Sequence, residues 1–300
     1  MAKKSSHNVS IIILNWNGIN FSRDCIKSVR EQTKSPDYEI IVVDNGSKQH
    51  EVKELQELHR KKLVDRLILN PENRGFSGGN NQGMLVASGD YLMLLNNDIL
   101  VKEKWLEILV EAAESDPKIG LVGPKITLHH TPNTCFGGGK ISDSGAAKFG
   151  YETARCEAEQ IGGAALMFKR GVYEKIGGLD EGFNPIYFEE SDFCTRVSRA
   201  GFKILFVPES EVIHFENAAM KTQPSKRTFV TLNKNRLRYE LLHFGRARLV
   251  KAFFWELLRF CRGILRLKPH WLLAAYWITL RKMPEILRRR NRYNKGDLRA

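Results

Sequence analysis

Val9-Ser10-Ile11-Ile12-Ile13-Leu14-Asn15-Trp16-Asn17-Gly18 is an apolar run that stops abruptly on asparagine and glycine. Short apolar runs bounded by turn residues read as strands buried on both faces, and such strands belong to parallel sheets covered by helices. The pattern recurs downstream. Tyr38–Val43 stops at Asp44-Asn45-Gly46-Ser47, Leu63–Leu69 at Asn70–Gly75, and Tyr91–Leu95 at Asn96-Asn97-Asp98. Between these runs, Phe21–Glu31, Glu51–Lys62 and Asn80–Ala87 read as helices. The alternation predicts an α/β domain with a parallel sheet. Ligands in such folds bind beyond the C-terminal strand ends. Turn chemistry accounts for any one Asn/Asp/Gly stretch; four in succession on that rim point to a site.

Further along, residues 127–160 read as loops with one hairpin around Gly137–Ile141. Gly182–Phe188 is an aromatic loop that leads into a helix over Glu189–Ala200. Lys203–Val207 and Val212–Phe215 read as two short strands, and helices follow after about Thr222. The 300 residues are 42% hydrophobic and 27% charged, which excludes collagen-like, disordered and disulfide-scaffold classes. Five cysteines with no CxxC pair read as reduced thiols in a cytosolic compartment. Residues 221–300 hold 21 Lys+Arg and 4 Asp+Glu, a charge of +17, which leaves −4 on residues 1–220. Ile11–Leu14 is too short for a signal-peptide core. The ten-residue stretch Trp271–Leu280 falls short of the roughly 20 residues that a bilayer span needs.

Three groups carry chemistry. Asp98 follows an apolar strand, where it reads either as a ligand for Mg²⁺ or Mn²⁺ or as a cap for a helix over Lys102–Glu114. Glu189, Glu190 and Asp192 crowd behind Tyr187 and Phe188; they serve a cation or a proton transfer, or supply helix-start charge. His214 ends a short apolar strand, either as a ligand or as a structural imidazole.

In order and spacing these pieces resemble family 2 glycosyltransferases of the GT-A fold, nearest to bacterial rhamnosyltransferase-like proteins. The resemblance rests on residues 9–18, Ile41–Ser47, Asn73–Asn81, Leu94–Asp98, Gly162-Gly163-Ala164, Gly178–Glu181 and Phe188–Asp192. It implies an inverting transfer from a nucleotide-diphospho-sugar, dTDP-rhamnose-like or UDP-linked, to a saccharide or lipid-linked acceptor in cell-surface polysaccharide synthesis. Asn15, Asp44, Arg74, Asn80, Asn97 and Asp98 are then expected along the donor. Glu190 is expected as general base, with Gly163, Ala164, Glu189 and Asp192 around the acceptor sugar. Asp98 and His214 are expected to hold Mg²⁺ or Mn²⁺; Asn96 occupies the first acidic position of the family's Asp-x-Asp motif, so a single carboxylate anchors the ion there. Asp192 is also spaced to pair with Arg196 one helical turn on.

Residues 1–220 are read as the catalytic domain and residues 221–300 as a basic helical region. Over Arg246–Lys268, Arg248, Lys251, Arg259, Arg262 and Arg266 share one helical sector, and Leu249, Phe253, Leu257, Phe260 and Ile264 another. Such a helix lies on an anionic membrane surface, or packs its apolar face on the catalytic body with the basic face in water. The first reading makes the protein cytoplasmic and peripheral at the inner face of the cell membrane. No GxGxxG follows the first strand, which excludes a dinucleotide-binding reading. No nucleic-acid-binding module is present, although the basic tail leaves that class as the alternative.

Overall fold

The computed structural model describes residues 8–150, 152–215, 225–265 and 269–300. The chain alternates β1 (Val9–Asn15), α1 (Ile19–Gln32), β2 (Tyr38–Asp44), α2 (Gln49–Arg60), β3 (Arg66–Leu69), α3 (Gly75–Val86) and β4 (Tyr91–Asn96). β4, β1, β2 and β3 are parallel neighbours in that order. Their side chains are buried on both faces at Ile11, Ile12, Ile13 and Ile40–Val43, as continuous apolar runs require. The third strand is shorter than its apolar run: residues 63–65 form the turn into it.

Next come β5 (Ile99–Val101), α4 (Trp105–Glu114), β6 (Ile119–Leu128), β7 (Thr131–Phe136), β8 (Gly138–Ile141), β9 (Ala147–Phe149), β10 (Cys156–Glu157), β11 (Gln160–Ile161) and β12 (Ala165–Lys169). β12 runs antiparallel beside β4, and β6 extends the main sheet beyond it. β11, β8 and β9 form a small second sheet. After α5 (Arg170–Ile176) and α6 (Glu189–Arg199), β13 (Lys203–His214) is one strand rather than two. A register shift between Val207 and Glu211 carries it past the proline without leaving β6.

The C-terminal helices are α7 (Lys226–His243), α8 (Arg246–Leu265) and α9 (Pro269–Asn294). α7 belongs to the core of the sheet domain: Tyr239, Leu242 and Phe244 share a buried cluster with Phe193, Phe206 and Leu166. The residue 220–221 division therefore separates elements that share one hydrophobic core.

The packing expectation for α8 is reversed: three of its cations, Arg248, Lys251 and Arg259, are tied to the body. Arg248 donates to the carbonyls of Ile141 and Ser142, Arg259 donates to the Ser144 carbonyl, and Lys251 reaches Asp143 at 3.2 Å. Its apolar side is left open, with Phe253 66%, Phe254 60% and Leu257 52% exposed. The carbonyls at the end of β8 and in the turn after it accept from these guanidiniums, so the charged face docks. Arg266 lies outside the described residues. No helix among the described residues is long and apolar enough to cross a membrane.

Candidate active site

The strand register aligns the predicted rim. Asn15 sits opposite Asp44, Asp44 opposite Leu69, and Leu14 opposite Asn96. Most rim residues face inward. Asn15 Nδ2 donates to Asp44 Oδ1 at 2.9 Å and to Ser47 Oγ at 3.1 Å, and Asn15 Oδ1 accepts from Ser22 Oγ at 2.7 Å. Asp44 Oδ2 accepts from the Ser47 amide at 2.9 Å. Asn80 Nδ2 donates to the Phe76 carbonyl at 2.9 Å. Asn97 Nδ2 donates to Ser22 Oγ at 3.0 Å. Asn15 and Asp44 are fully buried and Asn80 nearly so. Buried polar groups need partners, and at adjoining strand ends the nearest partners are each other. Asn15, Asp44 and Asn80, expected along the donor, build the rim itself. Gly46 and Gly75 turn it with φ of +75°. At Gly75 a Cβ would stand 2.5 Å from Asn184 Oδ1, so only glycine fits. Arg74 is exposed beside that turn, and its guanidinium has no ion pair or hydrogen bond among the described residues.

Asp98 and His214 are 116 residues apart in sequence, and the fold joins them. β5 pairs antiparallel with the end of β13, with Ile99 opposite His214. The Phe215 amide donates to the Asp98 carbonyl at 3.0 Å. The Asp98 carboxylate then meets His214 Nε2 at 3.1 Å. Asp98 is not a helix cap: α4 begins at Trp105 with Lys104 before it, and β5 intervenes. His214 Nδ1 is buried and has no partner among the described residues. Two donors on one edge of an octahedral ion stand about 3 Å apart at metal–oxygen distances of about 2.1 Å, so the pair fits a divalent cation. Among the described residues no third His, Cys, Asp or Glu joins them.

Across β4, the Asn96 amide donates to the Ala164 carbonyl at 2.8 Å, which draws the Gly163-Ala164 bend against the rim. A Cβ on Gly163 would lie 3.2 Å from Glu190 Cβ and Cγ, so the missing side chain admits the Glu190 stem. Glu190 is half-buried and lines a cavity of about 390 Å³ with Tyr187, Phe188, Ser191, Asn233, Arg236 and Arg259. Burial raises its carboxyl above the usual range. Glu189 is 3% exposed, and one carboxyl oxygen has no partner among the described residues. Burial, and then the charge of Glu190, raise its pKa well above an ordinary glutamate's. Glu189 therefore stands behind the cavity rather than in its wall.

Asp192 does not line the cavity either. It is fully buried and meets Arg196 Nε and His243 Nε2, both at 2.7 Å. Burial alone would raise its carboxyl; Arg196 and His243 outweigh burial and hold it far below the carboxylate range. The pairing with Arg196 is as the helical spacing predicts.

Sequence reasoning missed the clamp on this segment. Tyr187 and Phe188 have φ of 84° and 72°, a left-handed conformation that bulky residues avoid. Asn235 of α7 holds them by donating to the carbonyls of Phe183, Ile186 (2.9 Å) and Tyr187 (3.0 Å). Lys234 Nζ donates to the Asn184 carbonyl at 2.8 Å. Its burial, then the nearby Arg238 charge, lower its pKa to about 8. The available signal was Asn233-Lys234-Asn235-Arg236, a polar run around every face of a helix, which is uncommon unless polar partners surround it.

Comparison with known proteins bears on this geometry. Residues 10–134 match the family model described as Glycosyl transferase family 2. The O-antigen biosynthesis protein RfbC of Myxococcus xanthus is 28% identical over 71% of this chain and 18% of its own length. The N-acetylglucosaminyl-diphospho-decaprenol L-rhamnosyltransferase of Mycobacterium tuberculosis is 24% identical over 45% of this chain and 50% of its own. In architecture, a crystal structure of GalNAc-T7 with UDP, GalNAc and Mn²⁺ superposes with a TM-score of 0.66 at 20% identity, covering 81% of this chain and 49% of that one. The fold is GT-A, and residues 10–134 are similar to family 2 glycosyltransferases. It spans half or less of the length of each of these proteins.

Proposed function

We propose that this chain transfers a sugar, with inversion, from a nucleotide-diphospho-sugar to a hydroxyl of a saccharide or lipid-linked acceptor. The observation that carries the proposal is the joint presentation, at the C-terminal rim of the sheet, of the Asp98–His214 pair and of Glu190 beside Gly163. Asp98 and His214 would hold Mg²⁺ or Mn²⁺. When bound, the ion would neutralise charge on the departing diphosphate. Arg74 is the cation available to the same diphosphate at the mouth of the rim. Glu190 accepts the proton of the acceptor hydroxyl, and its raised pKa makes it a stronger base once ionised. Attack from the Glu190 side, opposite the leaving group, inverts the anomeric carbon.

Support for a dTDP-rhamnose-like or UDP-linked donor, and for a role in cell-surface polysaccharide synthesis, comes from the named activities of the relatives. Support for contact with a membrane surface comes from α8 and α9. They carry twelve of the seventeen large hydrophobic side chains exposed among the described residues. This reading makes the protein peripheral at the inner, cytoplasmic face of the cell membrane. Protection against thermal unfolding across a panel of dTDP- and UDP-sugars, with and without Mn²⁺, tests the donor assignment. Stabilisation by at least one nucleotide sugar is expected; no shift with any of them overturns it.

A further inference from the structure

The segment that leads into Glu190 is held from two sides, and those sides belong to different halves of the proposed reaction. From α7, Lys234 donates to the Asn184 carbonyl, and Asn235 to the carbonyls of Ile186 and Tyr187. From α3, Asn81 exchanges two hydrogen bonds with the Leu179 backbone, at 2.8 and 2.9 Å. The Phe76 amide, in the first turn of α3, donates to the Pro185 carbonyl at 2.9 Å. Asn184 meets both sides at once. Its Nδ2 donates to the Arg74 carbonyl at 3.0 Å, while its own carbonyl accepts from Lys234. Only one orientation of this amide works, because the reverse sets Oδ1 against the Arg74 carbonyl oxygen. The missing side chain of Gly75 makes the room for it. On its far flank the Arg74 turn is tied into the rim. The Arg74 amide donates to Asn45 Oδ1, and Asn45 Nδ2 donates to the Gly75 carbonyl, both at 3.0 Å. An unbroken chain of hydrogen bonds thus runs from the strand-end rim to α7, and Asn184 is the link in its middle.

We propose that Asn184 is a positioning residue for both half-sites: its side chain fixes the turn that presents Arg74 to the donor diphosphate, and its main chain fixes the loop that aims Glu190 at the acceptor. This inference rests on the sugar-transfer reading and adds to it a coupling between the two half-sites. The element that responds is the segment of Tyr187 and Phe188, whose left-handed backbone relaxes unless it is held. A ligand favours the held arrangement only if it binds that arrangement better than the relaxed one. The Arg74 turn supplies the difference. With Asn184 docked, the turn is pinned on both flanks and its guanidinium leads outward. With Asn184 undocked, the turn keeps its rim-side bonds to Asn45 and loses the side-chain bond from Asn184. A nucleotide diphosphate on Arg74 therefore steadies the loop before Glu190, and by reciprocity the steadied loop tightens the nucleotide. The link runs through the backbone of residue 74, so the guanidinium binds the ligand without carrying the coupling.

The test follows amide hydrogen exchange over residues 181–193 of the full chain, with and without UDP or dTDP in the presence of Mn²⁺, and nucleotide affinity by calorimetry. In the wild type, bound nucleotide is expected to slow exchange in this segment severalfold. Asn184→Asp keeps the shape of the side chain and removes the Nδ2 donor. It should speed exchange of the segment in the free protein and abolish the slowing by nucleotide. It should also weaken nucleotide binding about fivefold or more, the lower end of ordinary coupling between sites. Gly75→Ala, whose Cβ displaces Asn184 while the asparagine remains, should reproduce these effects and covers the case in which Asn184→Asp misfolds. Arg74→Ala should weaken nucleotide binding yet leave exchange of the free segment at the wild-type rate, because the carbonyl that Asn184 uses is still there. A residue that only supported the fold would speed exchange across β1–β4 as well, and that outcome overturns the proposal. So does wild-type exchange in Asn184→Asp, or a nucleotide that still slows the segment in that variant. If the wild type binds neither nucleotide nor any nucleotide sugar, the sugar-transfer reading and the coupling fall together. If it binds them and Asn184→Asp changes nothing, only the coupling falls.

Discussion

The strand-end rim and the C-terminal helices handle polar and apolar groups in opposite ways. On the rim, Asn15, Asp44, Asn80 and Asn97 turn their polar atoms onto neighbouring protein groups and leave Arg74 outward. On α8, the cations turn inward to carbonyls and carboxylates, and Phe253, Phe254 and Leu257 turn outward. A rim of satisfied amides is a rigid platform, costly to rearrange because each loss strands a buried group. An apolar face held up by docked arginines gains little from its own exposure and has reason to meet something apolar. One region is built to hold a shape, the other to make contact.

The strongest way to break that contrast is at the point where the regions meet. Glu190→Gln should lower kcat by about 10²- to 10⁴-fold while donor Kd stays near wild type, because a base acts on the acceptor. Normal turnover would remove the proposed mechanism. Next, Asp192→Ala should destabilise the fold by about 3–5 kcal/mol, since it strands Arg196 in a dry site. Denaturant unfolding measures this, and a loss below about 1 kcal/mol would show that the buried pair is not structural. The wild-type pH dependence has a definite sign. The Asp192 carboxyl is depressed, so its contribution is present above the ordinary aspartate pKa of about 3.9 and is lost as pH falls through its lower folded value.

Asp98→Ala and His214→Ala should each cost about 10²-fold in kcat with the fold retained, and a chelator should reproduce the loss. Full activity in excess EDTA would leave the pair as a structural contact. A smaller effect is expected on the membrane side. Vesicle sedimentation should weaken severalfold with Phe254→Ser plus Trp277→Ser, and unchanged sedimentation would show that the apolar face does not reach the lipid. The smallest is Glu189→Gln. The Glu189 carboxyl is raised, so wild-type stability falls as pH rises through its folded pKa, and the glutamine variant should lose that decline. Parallel curves for the two proteins would show that Glu189 does not titrate in the folded state.

The parallel strands were legible because a strand buried on both faces announces itself as an unbroken apolar run. The joining of Asp98 and His214 was legible only through the order of the motifs, since no local pattern links residues 116 positions apart. The inward turn of Asp44 was not legible, and for Asp192 the spacing gave the pairing with Arg196 but not its burial. A strand-end or helix-start acid looks the same in sequence whether it faces solvent or a buried arginine. Helical spacing sorted α8 correctly into two faces, but it carries no information on which face the body takes. That choice was made by the carbonyls of Ile141, Ser142 and Ser144, more than a hundred residues earlier.

Asn235 couples the loop before Glu190 to α7. Its single amide spans three carbonyls and keeps Tyr187 and Phe188 in a backbone state that costs on the order of 1–3 kcal/mol per residue. The C-terminal helices are therefore not a detachable anchor. In a chimaera that grafts helices α7–α9 from another protein onto this sheet, the donor helix would need an amide at this one position. Without it, the loop before Glu190 would relax and the graft would fold around a misaimed carboxylate.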